Sequence, residues 1–189
     1  RVQGCWEHMI QISKNALRKK MRSKRHELLK SEVISLSKLI NERLKKEQYF
    51  NSCMNIASYL ATDNEPNLSI PISKKLFFPR INNERLTFHL NTNKFKKNKF
   101  GINEPVHKKI FPMNKIQLIL IPLVAFNSDL YRVGYGGGYY DRTLQHLSDK
   151  TTRPKIWGIG YDFQKTSTNF QNTFDIRLDK VITDKTNYV

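Results

Sequence analysis

Apolar residues recur first at helical and then at strand spacing. Within residues 14–30, Leu17, Met21 and Leu28 fall on one face at i, i+4 and i+11, with Lys and Arg on the others. That period predicts a basic amphipathic helix. Ser31 is a candidate N-cap for a second helix over residues 32–47. There Val33, Leu36, Ile40 and Leu44 form an i, i+3, i+7, i+11 stripe. Both stripes read as core-facing. Ile56-Ala-Ser-Tyr-Leu60 and Leu76-Phe-Phe78 predict short strands. Leu86-Thr-Phe-His-Leu90 alternates like a half-buried hairpin strand after Asn82-Asn83. Residues 91–115 read as mostly polar loop.

Ile116-Gln-Leu-Ile-Leu-Ile121 is almost continuously apolar, as expected of a central parallel strand covered on both faces. After Leu-Val-Ala-Phe126 and a turn at residues 127–130 comes a glycine-rich loop, then a helix over about residues 140–146. Residues 156–160 and 180–183 predict the last two strands. This alternation of helices and strands favours a three-layer α/β domain.

Composition narrows the function. The 189 residues suit one domain. Lys and Arg number 33 against 16 Asp and Glu, a formal charge of +17. Such an excess suits polyanionic partners: nucleic acid, nucleotide phosphates or acidic metabolites. Richness in Lys, Asn and Ile, as in proteins of AT-rich genomes, accounts for part of it. Cys5 and Cys53 lie far apart, which argues against a zinc ribbon or disulfide scaffold and fits a reducing compartment. The five histidines (His8, His26, His89, His107 and His146) lack metal-ligand spacing. The longest apolar stretch, residues 116–126, is broken by Gln117 and Pro122 and is too short to span a membrane. No secretory signal is recognisable. Residues 1–13 read as an N-terminal extension that need not be native, with Met9 as a candidate start, and residues 14–189 as a single domain.

The chemistry concentrates in Arg132-Val-Gly-Tyr-Gly-Gly-Gly-Tyr-Tyr-Asp141-Arg142. Gly134, Gly136, Gly137 and Gly138 let backbone amides approach a ligand closely and adopt positive φ. Successive amides in such a turn form an anion-binding nest, and a following helix N-terminus adds its dipole. A phosphate chain is the natural guest. The segment is neither Walker A nor the Rossmann fingerprint. Asp141 could bring a divalent metal to phosphate oxygens, or simply favour the helix start.

This block, with Leu120-Ile-Pro-Leu-Val-Ala-Phe126 before it, resembles the 5-formyltetrahydrofolate cyclo-ligases (5,10-methenyltetrahydrofolate synthetases). The resemblance covers about residues 14–183. Supporting pieces follow in order: Lys14-Asn-Ala-Leu-Arg18, Tyr59-Leu60 with Glu65, Gly101-Ile-Asn-Glu-Pro105 and Asp175-Ile-Arg-Leu-Asp179. It implies a mainly parallel central sheet in an α/β/α sandwich, Rossmann-like and similar to the phosphosugar isomerase and CoA-transferase-like group. Lys14 and Arg18 are then expected to hold ATP phosphates. Arg132, Val133, Gly134, Tyr135, Gly136, Gly137, Gly138, Tyr139 and Tyr140 would form the ATP loop. Its stretch from Tyr135 to Tyr139 would also face the folate, with Leu60 and Glu65. Arg132, Tyr140 and Asp141 would act in catalysis, and Asp141 and Asp175 would bind Mg²⁺. The implied reaction phosphorylates the formyl oxygen of 5-formyltetrahydrofolate, closes the ring through nitrogen 10 and releases ADP and phosphate. The enzyme would be cytoplasmic and monomeric.

The chain departs from the family pattern at three places. Residues 66–78 leave room for only a short or distorted crossover helix, since a parallel connection takes about a dozen residues. Asn67-Leu68 stands where an acidic residue and a threonine are usual. Leu130-Tyr131 stands where a glycine is common. Two other functions are consistent with the charge: a nucleic-acid binder using the first helix and residues 94–99, or a paralogue binding nucleotide without turnover. The glycine loop counts against the nucleic-acid reading, because a charge-driven binder has no need of it.

Overall fold

A computed structural model describes residues 2–147 and 153–189, with side chains from residue 13 onward except that of His146. The expectations for Arg1 and for the side chains of Cys5, His8 and His146 lie outside these residues. The chain opens with three helices, α1 (Val2–His26), α2 (Lys30–Lys46) and α3 (Gln48–Ser52). Strands β1 (Asn55–Ala57), β2 (Lys75–Asn82), β3 (Arg85–Leu90), β4 (Phe95–Lys97), β5 (Asn103–Pro105) and β6 (Ile110–Phe111) follow. Then come β7 (Leu118–Pro122), β8 (Ala125–Phe126), β9 (Arg132–Val133), helix α4 (Tyr139–Leu144), and β10 (Lys155–Ile159), β11 (Lys180–Ile182) and β12 (Asn187–Tyr188).

Eight strands form the main sheet in the order β12-β11-β10-β7-β1-β2-β3-β6. The stretch from β11 to β2 is parallel, and both margins are antiparallel. The sheet is therefore mixed but mainly parallel. Strand β7 shows why its sequence is continuously apolar. Leu118 and Leu120 pack with Ile40, Leu44 and Phe50 of α2 and α3. Ile119 and Ile121 enter the opposite core with Leu144 of α4, Leu130 and Leu178. The second cover is thin, since α4 has six residues and coil supplies the rest. Helix α1 uses Leu17 and Met21 against Val124, Ala125 and Val133, at the short β8–β9 ribbon; the third residue of its predicted stripe, Leu28, lies beyond the helix end at His26 and packs with the α2 side of the sheet.

Several local expectations are corrected. Helix α1 begins at Val2, not at residue 14. Ser31 lies inside α2. Leu29 caps that helix, and its N–H donates to Glu32 Oε2 at 2.7 Å. A glutamate at the third helical position satisfies this otherwise orphaned donor. Residues 58–74 contain no helix, so β1 and β2 are joined by coil rather than by a short crossover helix. Residues 91–115, read as loop, contain the β4–β5 ribbon and edge strand β6. The first strand ends at Ala57 instead of residue 60.

Candidate functional site

Helix α1 carries Lys14 and Arg18 one turn apart, on the side that meets the glycine loop. The Lys14 ammonium is nearly buried and reaches both Asp175 oxygens, at 2.5 and 2.8 Å. The Asn172 N–H donates to Asp175 Oδ2 at 2.8 Å and fixes that carboxylate. Arg18 Nε donates to the Gly134 carbonyl at 2.8 Å. Its guanidinium lies over Gly136, where a β-carbon would stand 3.6 Å from Arg18 Cζ.

The loop itself springs from the β8–β9 ribbon. Leu130, in the turn between these strands, has φ +64°. This is the left-handed backbone that favours glycine, which explains why a glycine is usual there; here burial of the leucine side chain offsets the strain. Arg132 leaves β9 and Asp141 leaves the first turn of α4. They join across the loop as a bidentate pair, Nη1–Oδ1 at 2.9 Å and Nη2–Oδ2 at 3.2 Å. The pair closes the base of residues 134–138. Gly136 at φ +108° and Gly138 at φ +64° make the reversals inside it. Because α4 has only six residues, its dipole is slight. Loop amides and the neighbouring cations therefore carry the anion-binding capacity.

On the opposite wall, the turn at residues 62–65 presents Glu65. Asp63 and Asn64 are both left-handed there. The Asn64 amide donates to the Arg25 and Leu28 carbonyls at the end of α1. Glu65 is buried. Its Oε2 accepts the Thr62 N–H at 2.9 Å and its Oε1 accepts the Tyr135 hydroxyl at 2.9 Å. Burial pushes its carboxyl above the ordinary value, against the hydrogen bonds and the Arg25 charge that favour ionisation. Burial, and then the Glu65 charge, also push the Tyr135 and Tyr140 hydroxyls up, so both are proton donors at neutral pH.

A cavity of about 480 Å³ lies between these walls. Lys14, Arg18, Leu60, Glu65, the whole of residues 132–141 and Asp175 line it. Every site residue named from the sequence thus meets in one cavity. The sequence reading missed an apolar wall of Pro79, Ile81, Leu86 and Ile102, and the buried Glu104 beside it. Glu104 Oε1 accepts from the Ile81 N–H and Asn98 Nδ2, both at 2.9 Å, and so ties the β4–β5 ribbon to β2. For Ile102 and Glu104 the one sequence signal is the segment Gly101-Ile-Asn-Glu-Pro105.

No cluster of three or more His, Cys, Asp or Glu that could hold a metal occurs among the described residues. Asp141 and Asp175 are hard oxygen donors on the same cavity. Mg²⁺ is commonly held by one or two carboxylates together with substrate phosphates. The donor set fits a metal that arrives with phosphates, and does not fit an all-protein cage.

Fold and cavity together define an α/β domain in which a glycine loop, two helix-borne cations and a buried carboxylate surround one cavity. The sequence model of the 5-formyltetrahydrofolate cyclo-ligase family matches residues 10–184. A 5-formyltetrahydrofolate cyclo-ligase of Mycoplasma pneumoniae is 35% identical over 175 residues, covering 92% of this chain and 100% of that one. Its counterpart in Mycoplasma genitalium is 35% identical, covering 90% and 98%. A solved 5,10-methenyltetrahydrofolate synthetase from Mycoplasma pneumoniae superposes with a TM-score of 0.75 at 30% identity, over 91% of this chain and 99% of that one. The Aquifex aeolicus enzyme, solved by NMR, gives 0.76 at 28% identity, over 92% and 91%. The chain belongs to the 5-formyltetrahydrofolate cyclo-ligase family, and it is a cyclo-ligase of folate one-carbon metabolism. The family implies the use of ATP. No helix among the described residues is long and apolar enough to cross a membrane.

Proposed function

We propose that this cavity performs the ATP-dependent cyclisation of 5-formyltetrahydrofolate to 5,10-methenyltetrahydrofolate, with its residues in the following roles. Lys14, Arg18, Arg132 and the amides of residues 133–140 receive the ATP phosphates. Leu60, Glu65 and the loop from Tyr135 to Tyr139 face the folate. The observation that carries this reading is the convergence of all these groups, from three separate chain segments, on one cavity.

The γ-phosphoryl group passes to the formyl oxygen, and ADP leaves. Phosphate is a far better leaving group than oxide, so nitrogen 10 can attack the activated carbon and expel it. Proton accounting is simple, because the ring closes with loss of the nitrogen 10 proton. The side chains position the partners and neutralise charge, and none needs to act as nucleophile. Lys14 and Arg132 each hold a carboxylate, Asp175 and Asp141. A nucleotide would compete with these carboxylates for the two cations and free them for a metal. Mg²⁺ held by Asp141 and Asp175 would supply further neutralisation of the phosphates. Tyr140 lies 5.8 Å from the Arg132 guanidinium and keeps that cation against the loop. We further propose that the sheet is the core of a Rossmann-like three-layer sandwich, and that the enzyme works in the cytoplasm as a monomer.

The test is the conversion itself, followed by the absorbance of the methenyl product with 5-formyltetrahydrofolate, ATP and Mg²⁺. Alanine at Lys14 or Arg18 is expected to raise the KM for ATP while leaving that for the folate nearly unchanged. A reversed pattern contradicts the assignment of the two sides.

A further inference from the structure

Behind Glu65 lies a group of charges that does not line the cavity. Arg25, near the end of α1, is fully buried. Its Nη2 donates to Asp63 and to the Tyr135 hydroxyl, while its Nε and Nη1 have no partner. The Asp63 carboxylate also accepts Arg22 Nε at 2.9 Å, lies within hydrogen-bond reach of His26, and accepts the Tyr135 hydroxyl at 3.2 Å. Both Arg22 and Arg25 stand 5.4 Å from the Tyr135 ring centre. The Tyr135 hydroxyl is therefore a point where α1, the turn at residues 62–65 and the glycine loop meet.

A buried guanidinium is costly unless it is paired, and removing one partner of such a pair leaves the other uncompensated. The acids around Arg25 are Asp63 and, through Tyr135, Glu65. While Asp63 holds Arg25, Glu65 is left to its Thr62 and Tyr135 bonds and stays at the cavity wall. We propose that Arg25 and Asp63 are positioning residues that set Tyr135 and Glu65 for the folate and leave the nucleotide side untouched. This rests on the placing of the folate beside Glu65 and Tyr135. The nucleotide side has tethers of its own, Lys14–Asp175 and Arg18–Gly134, and meets the Asp63 group only through the Tyr135 side chain.

Asp63→Asn separates charge from backbone, because Asp63 has φ +54° and asparagine tolerates that region as well as aspartate does. The variant is expected to bind 5-formyltetrahydrofolate about tenfold more weakly by calorimetry, with a matching rise in KM, and to bind ADP within about twofold of wild type. Tyr135→Phe completes a double-mutant cycle. If Asp63 acts through the Tyr135 hydroxyl, the double variant binds the folate no more weakly than the weaker single variant. Additive losses, equal losses for folate and ADP, or unchanged folate binding each overturn the proposal. Should Asp63→Asn fail to fold, Arg25→Lys enters the same cycle with the same expectation. A folded wild-type protein that binds no folate overturns the placing of the substrate, and the inference with it. Normal wild-type binding with an indifferent Asp63→Asn overturns the inference alone.

Discussion

Gly136→Ala probes the glycine loop most sharply, because space and conformation can be told apart there. The new methyl group would stand 3.6–3.8 Å from the Arg18 guanidinium, which is ordinary contact. Sterics against neighbours therefore contribute little. The backbone is the obstacle, since φ is +108° and an alanine held there costs about 1–3 kcal/mol. If the strain is retained, stability falls by that amount. If it is released, the loop opens, the 2.8 Å Arg18–Gly134 bond is lost, and the KM for ATP rises by about 5- to 150-fold at ~1.4 kcal/mol per tenfold. Gly134→Ala is the control. Gly134 has no positive φ and a β-carbon there meets nothing within 4 Å, so its stability should match wild type. Any loss of ATP affinity in that variant reports close approach of the ligand. Urea denaturation and initial-rate kinetics on both variants measure these quantities. Gly136→Ala with wild-type stability and wild-type KM refutes the strain reasoning, as does equal destabilisation of the two variants.

Asp141→Asn should lower kcat by about 10²- to 10³-fold and should also lower stability, because it leaves the buried Arg132 guanidinium without a charged partner. Arg132→Ala should lose activity too, with a stability loss of about 2–3 kcal/mol, since it removes a packed guanidinium and leaves Asp141 without its cation; wild-type stability in urea denaturation would contradict this. Asp63 gives a pH signature. Burial alone would raise its carboxyl, but hydrogen bonds from Arg22, His26 and Arg25 outweigh it and hold the carboxyl well below its ordinary 3.8. A depressed folded value means that the stabilisation is complete above the unfolded value and is lost as pH falls below it. Urea midpoints measured from about pH 6 to about pH 3 should therefore fall more steeply for wild type than for Asp63→Asn, and parallel curves would contradict the assignment.

The sheet was legible where one residue type repeats. The unbroken Ile119 to Ile121 run announced a strand covered on both faces, and the α2 stripe announced its cover. Margins were less legible. Short edge strands such as β6 and β12 have two residues each, too few for any period to register. The connection at residues 58–74 could not be read because Asn64 and Asn67 tie it to α1 and α2, far away in sequence, and local propensity does not set its course. The glycine loop was visible because Arg132, the glycines and Asp141 are close in sequence as well as in space. Lys14 and Asp175, 161 residues apart, entered only through resemblance to a family. Arg25 and Asp63 gave no signal at all, because a basic helix hides its buried arginine among exposed lysines and Arg22. The same holds for the +17 charge. A few cations face the cavity, while Arg25 works from behind it.

The central claim is tested most directly by incubating the purified chain with 5-formyltetrahydrofolate, ATP and Mg²⁺ and recording methenyl product and ADP together. Product should appear only with ATP present, with one ADP formed per product. A well-folded preparation that yields no methenyltetrahydrofolate, or that releases ADP at the same rate without the folate, would contradict it.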